Sequence, residues 1–232
     1  MQFTNDRKKE YNMNNHEKPV IVKYCDTIKF GSYIQNSDTK EPIEWYILAN
    51  QENSFLLMSK YVLEVKAYHD NCEEMVTWQT CSLRKWLNHE FMDIAFTEEE
   101  KQRIRKIALY SDHNPDFDVD FETEHTDSVF LPSISEVEKY FKRWSLFLAE
   151  PTKHVRKRNP YLHYDLDTCY FWLRAFGEDG WNASIINSEG RVNVDGASSG
   201  DTGIGVRPAL WIRCEEEYQY KISGIDEKGI PF

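Results

Sequence analysis

Five cysteines, Cys25, Cys72, Cys81, Cys169 and Cys214, are the side chains most able to do covalent chemistry in this chain of 232 residues. Their number is odd, their spacing is wide and no Cys-x-x-Cys occurs, which excludes a zinc finger and a disulfide framework. The expectation is reduced, mostly buried thiols in a cytoplasmic protein. His113, His125, His154 and His163 form no His-x-x-x-His and no Cys/His cluster at zinc spacing, so no metal site and no cofactor are expected. Asp116, Asp118 and Asp120, followed by Glu122 and Glu124, alternate as hard-cation ligands would. A helix–loop–helix calcium site starting at Asp116 needs Gly and Glu where Phe121 and Asp127 stand, so residues 111–127 read as a solvated acidic loop. Gly-x-Ser-x-Gly is absent, and Cys169 and Cys214 lie in strand-like apolar contexts with no obvious base beside them. The glycine-rich stretch 200–205 lacks Gly-Lys-Ser/Thr and precedes a strand rather than a helix, so it is no phosphate loop.

Noncovalent recognition has better candidates. Trp181 is flanked by Asn182, and Asn193, Asp195 and Asp201 follow on nearby loops. An aromatic platform beside amides and carboxylates suits a sugar or a peptide, through stacking and directional hydrogen bonds. The competing role for Trp181 is hairpin packing. Arg84, Arg174 and Arg207 carry planar five-donor forks that either tie buried carbonyls and carboxylates or clamp an anionic ligand. The run Lys153-His154-Val155-Arg156-Lys157-Arg158 is the one concentrated positive patch and reads as a solvated loop.

The elements that position these residues are legible in the pattern. Residues 43–48 and 54–58 are apolar runs separated by Asn50-Gln51-Glu52-Asn53, a hairpin signal. The alternation of residues 26–30 predicts a strand broken by Gly31-Ser32. Leu83, Trp86, Leu87 and Phe91 fall at helical spacing. Thr97 with Glu100 and Ser133 with Glu136 are capping boxes, each opening a helix. The first continues through Ile104, Ile107 and Ala108; the second buries Val137, Tyr140, Phe141 and Trp144. Residues 170–174, 183–186 and 191–194 read as strands, with Gly190 supplying a left-handed turn residue. A closing strand spans residues 206–212, with Pro208 at an edge or a bulge because it lacks a ladder donor.

Composition bounds the class. Hydrophobic residues are 41% of the chain, enough for a core, and no run approaches a membrane span or a signal peptide. Lys and Arg number 28 against 39 Asp and Glu, a net charge of −11, which argues against a nucleic-acid coat. The 13 Phe, 13 Tyr and 7 Trp favour β structure over a helical bundle. Residues 1–18 read as a flexible lead-in, 19–214 as one folded domain and 215–232 as a charged tail. Strands at both ends with helices between predict a single α+β domain in which the ends of the chain share a sheet.

Several phrases occur in a telling order: Glu44-Trp45-Tyr46-Ile47-Leu48, Ser82-Leu83-Arg84-Lys85-Trp86-Leu87-Asn88, Asp127-Ser128-Val129-Phe130-Leu131-Pro132-Ser133, Phe171-Trp172-Leu173-Arg174 and Gly205-Val206-Arg207-Pro208-Ala209-Leu210. This order resembles a widespread bacterial domain family of unknown function, whose last two phrases typically read W-W-L-R-S-P-G and G-V-R-P-A-L. Here Ala175 and Phe176 replace the usual Ser and Pro. That family in turn looks like a relative of the C-type-lectin-like superfamily, which includes formylglycine-generating enzymes. The resemblance implies a twisted antiparallel sheet, adjacent N- and C-terminal strands and a loop-rich ligand face.

The resulting expectation is a noncatalytic binding module of C-type-lectin-like architecture. Residues 176–182 and 195–205 form its ligand face, and Trp181, Asn182, Asn193, Asp195 and Asp201 contact a glycan, peptide or protein. One alternative is a cysteine- or metal-dependent oxidase-like enzyme on the same fold, using Cys169 or Cys214. Another is an interaction subunit of a cytoplasmic complex, using the acidic loop or the basic run. Membrane and nucleic-acid partners are not expected.

Overall fold

The computed structural model describes residues 2–3, 20–71, 75–110, 114, 116, 124–159, 162, 164–165, 167–214 and 220–224. In the first part of the chain, strands β1 (Gln2–Phe3), β2 (Val20–Lys23), β3 (Thr27–Ile34), β4 (Lys40–Gln51), β5 (Ser54–Ser59) and β6 (Glu64–Val65) follow one another. The middle carries helices α1 (Ser82–Trp86), α2 (Met92–Ala95) and α3 (Glu98–Arg103), then β7 (Ile107–Leu109), β8 (His125–Asp127) and β9 (Val129–Phe130). A π turn, Leu87–Phe91, joins α1 to α2. Helices α4 (Ile134–Tyr140) and α5 (Lys153–Arg158) precede β10 (Tyr164–Asp165), β11 (Thr168–Cys169), β12 (Phe171–Phe176) and β13 (Asn182–Ile186). The chain ends with β14 (Val192–Ser198), β15 (Gly205–Val206), β16 (Ala209–Arg213) and β17 (Tyr220–Ser223).

Two sheets share one apolar core. The larger has the order β1-β3-β4-β5-β16-β9 and the smaller β14-β13-β12-β15-β6. All pairings within them are antiparallel except β12 with β15. The expected single sheet is therefore two, while the α+β class holds. Every residue of β5 and of β12 is buried, so neither alternates polar with apolar, and Arg174 alone interrupts the apolar run of β12. The ends of the chain meet: β17 lies parallel to β2, and β16 lies between β5 and β9. The segments read as a lead-in and a tail thus each contribute a strand, β1 and β17.

Local chemistry explains the turns. Glu52 and Asn53 have φ of 47° and 55°, so the β4–β5 connection is a two-residue turn of the mirror-image kind that matches strand twist. Gly31 does not end β3. It sits at φ 66° in a bulge, and the strand runs on to Ile34. The Gly31 N–H donates to Glu100 Oε1 at 3.1 Å, while Glu100 Oε2 accepts from Thr97 N in the α3 capping box. One carboxylate thus closes a helix and holds a strand bulge. The second capping box, Ser133 with Glu136, also forms.

Three expectations need correction. Helix α3 stops at Arg103, and Ile107–Leu109 is strand β7, because Arg105 N donates to Trp211 O and Ile104 bridges Ile212. The β-branched residues there find sheet partners that outweigh a weak helical pattern. Trp144 is 60% exposed on a 3-10 turn and stacks on Phe147, because α4 ends at Tyr140. The basic run is helix α5, not a loop, since the Thr152 hydroxyl accepts from Val155 N and Val155 packs into the core.

A Cβ added to Gly31 would come within 2.5 Å of the Phe96 ring and 2.8 Å of Ala95 O, at a φ that side chains resist. Gly31→Ala should therefore lose about 2 kcal/mol or more, read as a lower urea midpoint. An unchanged midpoint would mean that the bulge is not held as described.

Candidate functional site

The motif arginines face inward. Arg84 Nε donates to Asp127 Oδ1 at 2.7 Å, and Trp78 Nε1 donates to Asp127 Oδ2 at 2.8 Å. Asp127 is buried, and buried His125 stands 3.7 Å away. The last residues of the stretch read as a solvated acidic loop are therefore strand β8 and pack, because a buried carboxylate meets a guanidinium and an indole N–H. Asn114, earlier in that stretch, is buried too and donates to Phe176 O and Val194 O. Most of the remaining calcium-candidate residues lie outside the described residues. Asn88 completes the lashing of the first helix: its side chain donates to Arg84 O and Val129 O and accepts from Ser128 N.

Arg174 donates to Leu131 O at 2.7 Å and to Glu136 Oε2 at 2.9 Å, with its guanidinium over the Phe130 ring. Arg207 is wholly buried and serves three carbonyls, those of Ser59, Lys60 and Leu146. Burial lowers its pKa to about 10, so it remains a cation at neutral pH. None of the three is placed as an external anion clamp. Each is absorbed by the scaffold.

The thiols are equally withdrawn. Burial pushes Cys81 and Cys169 up to about 12, so neither is a thiolate near neutral pH. Cys169 Sγ lies 3.5 Å from Ala149 O, and Cys214 is buried after β16. Cys72 lies outside the described residues. Among the described residues no cluster of His, Cys, Asp and Glu is arranged to hold a metal ion, and no helix is long and apolar enough to cross a membrane.

The outward-facing candidates gather at one end of the β13–β14 hairpin. Trp181 is 45% exposed. Its loop is pinned on several sides: Trp181 N donates to Asp179 Oδ1 at 2.9 Å, Ser199 N to Trp181 O at 2.7 Å and Val76 N to Gly180 O at 2.8 Å. Met75, 58% exposed, lies on Gly180, where an added Cβ would come within 2.5 Å of its methyl. Asn182 opens β13 opposite Ser198, and its side-chain amide makes no hydrogen bond among the described residues. Asp195 is exposed and its carbonyl accepts from Glu178 N at 2.8 Å.

Two predicted contacts also have local duties. Asn193 Oδ1 accepts from Asp195 N and Gly196 N, holding the strand around Gly196 at φ 82°. Asp201 Oδ1 accepts from Gly203 N at 2.7 Å. Strand β14 also runs through Gly196 to Ser198, so the expected 195–205 loop shortens to the residues after Ser198.

A groove of about 580 Å³ adjoins this end, lined by Lys66, Asp70, Ser82, Lys85, Trp86, His89 and Glu90. Hydrogen bonds connect it to the Trp181 loop: His69 N donates to Ser199 O, and Ser82 N donates to the His69 side chain at Nδ1. Its helical wall includes the π turn, a geometry that recurs at functional sites. The Lys66 ammonium lies 5.1 Å from the centre of the Trp86 ring.

A family model described as a domain of unknown function, DUF6273, matches residues 52–214. The chain belongs to the DUF6273 family. No curated protein and no solved structure is significantly similar to it. The DUF6273 segment holds β5 to β16, helices α1 to α5, the three inward arginines and the Trp181 loop. In this DUF6273 domain Met75, Glu178 and Asp179 are neighbours of Trp181 that the sequence reading did not single out. Glu178 and Asp179 sit inside the predicted loop, but nothing in the pattern around Met75 marks it as exposed.

Iodoacetamide at neutral pH should leave Cys81 and Cys169 unmodified in the folded DUF6273 protein and label both after denaturation. Rapid labelling of Cys169 in the native state would restore the cysteine-enzyme alternative.

Proposed function

We propose that this DUF6273 protein is a noncatalytic binding module whose ligand face is built by residues 176–182 and 195–205. The observation that carries this reading is Trp181, a large aromatic side chain held outward on a loop whose backbone is fixed by Asp179, Ser199 and the 75–76 segment. A platform ordered before binding loses little conformational freedom when a ligand arrives. The inward orientation of Arg84, Arg174 and Arg207 and the burial of Cys81, Cys169 and Cys214 support a scaffold role for the remaining motif chemistry.

Trp181 is the platform, and Asn182 and Asp195 are the polar readers beside it. Asn193 and Asp201 act on the same face by shaping the backbone that displays them. The pairing of β2 with β17 and the loop-rich end of the smaller sheet support a C-type-lectin-like architecture. A cytoplasmic setting fits the reduced thiols.

Printed glycan and peptide arrays test the proposal. The wild-type protein should mark a defined subset of spots, and Trp181→Ala should weaken those signals by roughly tenfold or more, as loss of an aromatic hot spot does. Equal marking by both proteins would remove Trp181 from the site. No marking by the folded wild-type protein would count against the module.

A further inference from the structure

We infer that the Trp181 face takes a peptide segment that is cationic around an apolar anchor, an inference that rests on the binding-module reading and names its ligand. The face combines two features. Its centre is apolar and exposed, made by Trp181 and by Met75, whose flexible thioether adapts to varied partners. Its rim is anionic. Glu178 and Asp195 are exposed and joined through the Glu178 N–H, Asp179 lies beside Trp181, and exposed Asp116 follows the anchored Asn114.

Cations are scarce along the described segments that form this end, although Lys66 and Lys85 line the adjoining groove. The described segments that meet at this end are 67–71, 75–83, residues 114 and 116, and 176–206, represented by His69 on Ser199, Val76 on Gly180, Asn114 on Phe176 and Val194, and the Trp181 loop itself. Together they contain a single Lys or Arg, although the whole chain has 28 in 232 residues. That residue, Arg191, is at the opposite end of the β13–β14 hairpin and is 3.2 Å from Glu189. Exposed carboxylates of one sign repel one another, and a partner with lysines or arginines relieves that repulsion while its apolar residue covers Trp181 and Met75. A bare inorganic cation would leave the two apolar groups in water, and a nucleic acid would add to the repulsion.

The test uses the full chain and three fluorescent peptides of one length that share a central Leu pair flanked by lysines, by serines or by glutamates. Fluorescence anisotropy at low and high salt reads their binding. The lysine peptide should bind at least tenfold more tightly than the serine peptide, and that advantage should shrink as salt rises. Glu178→Gln with Asp195→Asn should remove most of the advantage, whereas Glu98→Gln with Glu99→Gln on the distant helix α3 should keep it. Trp181→Ala should weaken the lysine peptide roughly tenfold. Circular dichroism would confirm that each variant is folded. Equal binding of the lysine and serine peptides would overturn the cationic ligand while leaving a binding module in place. An undiminished preference in the Glu178/Asp195 double variant would also overturn it, since the rim would then not be its source. Failure of every peptide would overturn this inference, and array signals from sugars would separate that result from failure of the module.

Discussion

A cation with no carboxylate partner among the described residues joins the two sheets. Arg207 stands where the chain leaves the smaller sheet at Val206 and enters the larger at Ala209. Its guanidinium lies 5.3 Å from the centre of the Phe171 ring of one sheet and 5.9 Å from that of Tyr46 of the other. Its donors meet the carbonyls of Ser59 and Lys60 at the end of β5 and of Leu146 from the helical side. Pro208 follows without a backbone N–H, and it needs none at a crossing between ladders; its carbonyl accepts from Ser59 N. A planar fork suits this junction because one rigid group satisfies several acceptors whose directions are already set.

From that junction the outer face follows in steps. The crossing fixes β15 against β12 and β6, and β12 carries β13 and β14 outward to the hairpin end where Trp181 stands. Arg174, in β12, bonds to Glu136 at the start of α4, and the same carboxylate oxygen accepts from Ser133 N. Arg84 and Asn88 tie the first helix to β8 and β9, which holds the groove wall beside the Trp181 loop. Polar groups withdrawn into the scaffold leave the proposed recognition to a small exterior set, with an aromatic ring and a methionine among carboxylates. This is a division of labour expected when buried charge supplies geometry and an exposed hot spot supplies binding.

Local signals were the readable ones. Thr97 with Glu100 and Ser133 with Glu136 announce helix starts because each box closes within four residues. The apolar runs of β5 and β12 announce central strands because both faces are covered. What escaped depends on distant partners. Ile104 and Ile107 look helical until Ile212 and Asp127 are placed across from them. Asp127 looks like one more acid in a solvated run until Arg84, 43 positions away, claims it. The proposed ligand face was half legible: Trp181 and its loop can be found by composition, but the duties of Asn193 and Asp201 and the presence of Met75 require the folded chain.

The junction is tested most directly by replacing its cation with an apolar side chain of similar length. Arg207→Met fills much of the space but leaves three carbonyls without the donors they now have. Buried charges can sometimes be exchanged for apolar groups without loss, so the outcome discriminates. Urea unfolding followed by tryptophan fluorescence should show a loss of about 2–4 kcal/mol, the cost of orphaned buried acceptors. Stability equal to or above that of the wild-type protein would contradict the claim that this guanidinium holds the two sheets together.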